Sequence, residues 1–289
     1  MRRAAVAIAV LAGGVTLSLR ASQLPGGPND VTALLARVAE SVTRYYARAQ
    51  SIMCIETVRL QALGHDFLSD GSPSRRLDYE LRVAWDPSAS GRAPEASVHR
   101  ELLKVNGREP RPKDEPECTD PKPVSPEPLA MFLPEGQKDY VFTMAGRARV
   151  GGRAALTLDY KSREAGEAKV SWRKDCFTVD LPGRSRGRVW IDVETSEVLR
   201  LDEHLVGMFD YTIPREHQRA GGPLSFTIER VDSSIVYKPV VFDNPEERVM
   251  LPASINTLSI VRNSGVPRLR RTQVFSNYRR FITGGRVVQ

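Results

Sequence analysis

The residues whose types could do covalent or metal chemistry are three cysteines, Cys54, Cys118 and Cys176, and the histidines His99 and His204. A thiolate beside an imidazole makes a nucleophile and its base, so Cys54 or Cys176 with His99 or His204 can be drawn as such a dyad, as any few Cys and His can. Nothing in the spacing assembles it. The chain has no Gly-x-Ser-x-Gly elbow, no glycine-rich phosphate loop and no His-Glu-x-x-His helix. It has no Cys-x-x-Cys pair to hold zinc or exchange disulfides. Asp202 and His204 fall on one face of a strand pattern, a spacing that suits two metal ligands, but a third and fourth are missing from the neighbourhood. Solvated hairpin positions are the expectation for both, and the class expected is a binding protein without catalytic residues, metal or cofactor.

The cysteines make better sense as structure. Met1-Arg2-Arg3 precedes the charge-free run of residues 4–19, the pattern of a secretory signal over residues 1–22. The run is shorter than the roughly 20 residues of a comfortable membrane span. A periplasmic or secreted location follows as the expectation, and export permits disulfides. Three cysteines allow one bridge and one leftover thiol. Cys118–Cys176 is favoured because Cys54 lies within an apolar strand pattern, although spacing alone does not fix connectivity.

Arg2, Arg3 and Arg20 account for three of the formal net charge of +7, so the rest of the chain carries +4. That is mildly basic and no nucleic-acid footprint. The last 28 residues hold Arg262, Arg268, Arg270, Arg271, Arg279, Arg280 and Arg286 and no acid. They could make peripheral contact with an anionic membrane; charge on an outer face or strand edge is the preferred reading.

The elements that must position these residues are mostly strands. Residues 30–50 carry apolar side chains at helical spacing, from Val31, Leu34, Leu35 and Val38 to Val42, Tyr45, Tyr46 and Ala49, behind a possible cap at Asn29 or Asp30. Leu77, Tyr79, Leu81, Val83 and Trp85 alternate with polar residues, the cleanest half-buried strand in the chain. Asn106-Gly107 and Gly151-Gly152 are two-residue turn signals. Residues 109–128 contain seven prolines and read as a crossover tied down by Cys118, with a short helix starting at Ser125-Pro126-Glu127 and running through Leu133. In the second half, residues 169–179 read as one strand leading into a hairpin at 187–207. There Val189, Ile191 and Val193 form the apolar face, opposite Arg188, Trp190 and Asp192. Strands are further expected at 224–231, 235–242, 255–261 and 269–281. The chain therefore reads as α+β, with a single domain over 23–289.

The order of helix, meander and crossover, the run Val189-Trp190-Ile191-Asp192 with its turn and Val198-Leu199-Arg200-Leu201, and the ending Phe275-Ser276-Asn277-Tyr278-Arg279-Arg280-Phe281 resemble the LolA/LolB-like periplasmic lipoprotein-carrier superfamily, which includes RseB-like sensors. The resemblance implies a strongly curved antiparallel sheet, an unclosed barrel, wrapping over the N-terminal helix and the short crossover helix. It also implies an apolar cavity holding a lipid or an acylated protein, with Tyr79, Leu81, Val83, Trp85, Trp172 and Trp190 as its candidate lining. A periplasmic sensor or scaffold that binds an envelope protein partner through the same sheet is the alternative it implies.

Overall fold

The structure is a computed structural model that describes residues 30–280, apart from 50, 87–93, 113, 115–116, 122–127, 174–175, 219 and 244–245. The predicted export signal, Asn29, the start of the crossover helix at 125–127 and Arg286 lie outside the described residues. The periodic segment forms helix α1 (Val31–Arg48), which buries Leu34, Leu35, Val38, Val42 and Tyr46 in one stripe. No helix among the described residues is long and apolar enough to cross a membrane.

Thirteen strands follow among the described residues. They are β1 (Ser51–Ala62), β2 (Arg75–Asp86), β3 (Glu95–Val105), β4 (Tyr140–Val150), β5 (Arg153–Ser162), β6 (Lys169–Arg173), β7 (Cys176–Asp180), β8 (Ser185–Asp192), β9 (Val198–Leu205), β10 (Phe209–Thr212), β11 (Ser225–Asp243), β12 (Glu246–Arg262) and β13 (Arg268–Arg280). The main sheet runs β3-β2-β1-β13-β12-β11-β9-β8-β5-β4, with β10 added beside β11. All its pairings are antiparallel. Strands β3 and β4 are its two edges and do not pair with each other, so the sheet is curved but unclosed. Between β3 and β4 come a 3₁₀ turn, Leu129–Phe132, and the single-turn helix α2 (Pro134–Gln137). Leu129, Met131 and Phe132 pack with α1 over one half of the sheet's inner face.

Local chemistry explains the hairpins. Gly151 and Gly152 both sit at positive φ, +55° and +83°, which a tight turn between right-twisted strands requires. At the β8–β9 turn the Asp192 carboxylate, 4 % exposed, accepts the backbone N–H groups of Glu194 and Thr195 at 2.9 and 2.8 Å and pairs with Arg153 at 2.9 Å. Burial pushes this carboxyl up, but the turn amides and Arg153 outweigh it and hold its pKa below the ordinary value.

Several expectations need correction. Val193 is 52 % exposed, because the turn begins at it and the apolar face ends at Ile191. Residues 169–179 are two strands, β6 and β7, paired as a separate hairpin. The strands expected at 224–231 and 235–242 are one continuous β11. Asp232, Ser233 and Ser234 are weak strand formers, but they are paired on both sides, with His204, Glu203 and Asp202 of β9 and with Leu258, Thr257 and Asn256 of β12. Asn106-Gly107 does turn, at φ +49° and +80°, but the return is a single bridge, Val105 to Arg108. The C-terminal arginines do not guard an edge, because β13 lies between β1 and β12. Arg262 pairs with Glu229, Arg280 with Glu247, and Arg279 lies 4.0 Å from Glu80.

Cys118 and Cys176 form a disulfide that ties the proline-rich segment to β7. Arg75 anchors the same segment through Glu117 and Asp120. Cys54 is buried with a free thiol, its pKa pushed up to about 12 first by burial and then by the charge of Glu56. Replacing both Cys118 and Cys176 by serine should lower the unfolding free energy by about 4 kcal/mol on the chain-entropy model, read from urea midpoints. Cys54 should resist alkylation at pH 8 in the native protein and react once the chain is unfolded.

Candidate ligand-binding groove

The inner face of the sheet has two halves. Strand β1 alternates, so Ile52, Cys54, Glu56, Val58 and Leu60 all point inward. Cys54 belongs to the core under α1, whereas Val58 and Leu60 belong to a separate cluster with Leu77 and Tyr79. Glu56 sits between them at 0 % exposure. Its Oε2 accepts from Arg100 Nε at 2.6 Å and its Oε1 from Gln273 Nε2 at 2.6 Å. On β13, Gln273 is likewise the boundary between Phe275, in the core, and Arg271 beyond it. A buried charge is tolerable only when so paired, and removing one partner of such a pair typically costs about 3–5 kcal/mol.

Beyond this boundary α1 no longer covers the sheet. The β6–β7 hairpin and the disulfide-held segment close over it and leave a groove of about 540 Å³. Its walls are Trp172 and Phe177 from the hairpin, and Phe226, Val231, Val261 and Leu269 from the main sheet. The aromatic wall is ordered by stacking: Trp172 on His217 with centroids 4.3 Å apart, and Phe177 on Phe226 at 4.1 Å. Arg271 also lines the groove. Its register partners are Leu60 on β1 and Thr257 on β12, which puts its side chain on the inner face. Its neighbour Arg270 points outward and donates to the Phe67 carbonyl at 3.2 Å.

The six residues expected to line a cavity do not converge on one. Leu81, Val83 and Trp85 pack under α1, where the Trp85 ring lies 4.9 Å from that of Tyr46. The space beside them is about 30 Å³, water-sized and no ligand cavity. Tyr79 and Trp172 share a second cavity of about 520 Å³ with His99, Arg100 and Asp120. Trp190 faces the opposite side of the sheet, with the Arg200 guanidinium 4.8 Å over its ring. Trp172 alone of the six lines the groove. Phe226, Phe177 and Arg271 escaped the sequence reading. The available signal was the inward row Leu269, Arg271, Gln273 and Phe275, a cation within an otherwise buried alternation.

The chemistry-bearing residues are held apart. Cys176 is consumed in the disulfide. His99 pairs in register with Arg82, while Cys54 pairs with Leu81, so the two lie on opposite faces. Asp202 pairs with Arg200 at 2.8 Å, and His204 Nδ1 meets Asp232 at 2.8 Å. Among the described residues no group of three or more His, Cys, Asp or Glu side chains is placed to hold a metal. Among the described residues, the carboxyl raised above its ordinary value is that of the half-buried Glu203, on the inner face of β9 beside Tyr160. Gly187 makes room for that tyrosine, since a Cβ there would stand 2.6 Å from its hydroxyl oxygen.

No family model matches this chain, and no curated protein matches it. It is similar to the solved structure of a DUF1329 family protein from Desulfovibrio piger, at 8 % identity over 89 % of this chain and 95 % of that one, with a TM-score of 0.41. It is also similar to a LolA superfamily protein from Nitrosomonas europaea, at 8 % identity over 88 % and 94 %, TM-score 0.34. A third likeness is to the MucA/MucB complex structure of Pseudomonas aeruginosa, at 10 % identity over 85 % and 99 %, TM-score 0.23.

Burial raises the Glu203 carboxyl, and the donors Tyr160 and Ser185 and the nearby His204 only partly offset it. A raised folded-state pKa means that the native protein holds this proton more tightly than the unfolded chain does. The resulting stabilisation is complete below the ordinary glutamate value and is lost as pH rises through the higher folded value. Urea unfolding of wild type and Glu203→Gln between pH 4 and 8 should show the difference turning against wild type as pH rises. A pH-independent difference contradicts the assignment.

Proposed function

We propose that this is an exported, non-enzymatic binding protein that holds the apolar chain of a lipid or lipidated molecule in the groove between the β6–β7 hairpin and the inner face of the main sheet. The observation that carries this reading is the groove itself. Its volume of about 540 Å³ falls within the roughly 300–1,000 Å³ of small-ligand sites. Its walls are aromatic and aliphatic, packed around Ile213, Phe226 and Ile228, and the disulfide ties the proline-rich segment to them. A chain entering it would cover the half-buried Val231, Val261 and Leu269 and gain about 0.8 kcal/mol per buried methylene. Chain length would then set affinity, and the head would set selectivity. No residue of the groove is assigned a catalytic role. The buried Cys54 and the half-buried Glu203 lie outside its lining and are accounted for by the core.

Neutral n-alkanols from octanol to tetradecanol isolate the chain from the head. Their affinity, measured by calorimetry, should rise about fourfold per methylene until the groove is full. The melting temperature should rise with ligand concentration, since a ligand at a hundred times its Kd stabilises by about 2.7 kcal/mol. Val261→Trp, which fills the groove, should abolish both effects. Absence of any shift in wild type rejects this reading and puts the sensor or scaffold for a protein partner in its place.

A further inference from the structure

The groove is apolar along the Phe177, Val231, Val261 and Leu269 walls, and its charged lining residues are Arg271 and Asp120. Arg271 lines it, half-buried, on the inner row between Leu269 and Gln273. Its Nε is shut off from solvent without a hydrogen-bond partner, and its guanidinium makes no ion pair with the described residues. The nearest buried acid, Glu56, is already saturated by Arg100 and Gln273. Trp172, on the facing wall, has a buried indole N–H that also lacks an acceptor. Asp120 lines the groove as well, and one of its oxygens is unpartnered. Arg75, at 3.2 Å, pairs with it and also with Glu117. The Arg271 Nε and the Trp172 indole N–H are themselves shut off from the groove, so what the groove presents is the rest of the Arg271 side chain, without an ion-pair partner among the described residues and with Glu56 as the acid acting on its charge from a distance. Buried polar groups are normally satisfied, and a guanidinium presents its donors in the fork that anionic oxygens fit.

We propose that the groove takes an anionic single-chain amphiphile, with the carboxylate or phosphate oxygens of its head on Arg271 and its chain along Val231, Val261 and Leu269. This rests on the groove being the binding site, and it names the class of head that site selects. Arg271 acts as a selectivity residue: it adds affinity for one charge type and leaves chain burial unchanged.

The test compares four heads on one chain, below their micelle concentrations: dodecanoate, dodecyl phosphate, dodecanol and dodecyltrimethylammonium, each titrated into the full-length folded protein by calorimetry. Wild type should bind at least one of the two anions ten times or more as tightly as dodecanol, and the cationic probe more weakly still. The tighter anion identifies the head as carboxylate or phosphate. Arg271→Gln should lose the preference while dodecanol affinity stays within twofold, which also shows that the groove remains folded. Arg271→Lys should keep most of the preference, and Arg270→Gln, on the outer face, all of it. Equal affinity for anion and alcohol in wild type, or a preference that survives in Arg271→Gln, overturns this inference and leaves the groove reading standing. Failure of every probe, dodecanol included, overturns both.

Discussion

The constraint on which the structure depends is one of area. Ten strands at about 4.8 Å spacing make a sheet about 43 Å across, while an 18-residue helix is about 27 Å long. One helix cannot cover the inner face of such a sheet, and a bare apolar face of that size would be an aggregation surface. The chain meets the constraint by dividing the face. Helix α1 and the turn at Leu129–Phe132 close one half into a packed core. The other half is bridged by a short hairpin and a proline-rich segment, joined by the Cys118–Cys176 bond. The hairpin packs on Ile213, Phe226 and Ile228, and the groove lies beside that contact.

Glu56 marks where the two coverings meet. Replacing its cluster with apolar residues would often be neutral or stabilising, so stability alone is a weak reason for it. Its geometric consequence is plain. Cys54 and Phe275 on one side pack against the helix-covered core, while Val58, Leu60 and Arg271 on the other face the bridged half. The polar divider keeps the inner face from acting as one continuous hydrophobic surface into which α1 could slide.

How much of this was legible in the sequence depended on how local the signal was. The helical stripe from Leu34 to Tyr46, the strict alternation from Leu77 to Val83 and the Gly151-Gly152 turn are written in neighbouring residues, and each appears in the structure where the pattern puts it. β11 was misread because Asp232, Ser233 and Ser234 owe their strand conformation to partners on β9 and β12, far away in sequence. The groove was missed for the same reason. Trp85 and Trp172 have the same side chain and similar strand contexts, yet one fills the core against Tyr46 and the other walls a cavity. Only the covering element separates these fates, and that element is set by the long-range disulfide and by the return of β6 on β7.

The central claim, that an apolar chain occupies the bridged half of the sheet and not the half under α1, is tested most directly by photo-crosslinking. A hexadecanoate carrying a diazirine near its methyl end would be irradiated with the purified protein and the labelled peptides mapped by mass spectrometry. Adducts concentrated in residues 222–231 and 257–271, and competed away by unlabelled hexadecanoate, are the expected result. Adducts on α1 or on Leu81, Val83 and Trp85, or labelling spread evenly over the surface, would contradict it.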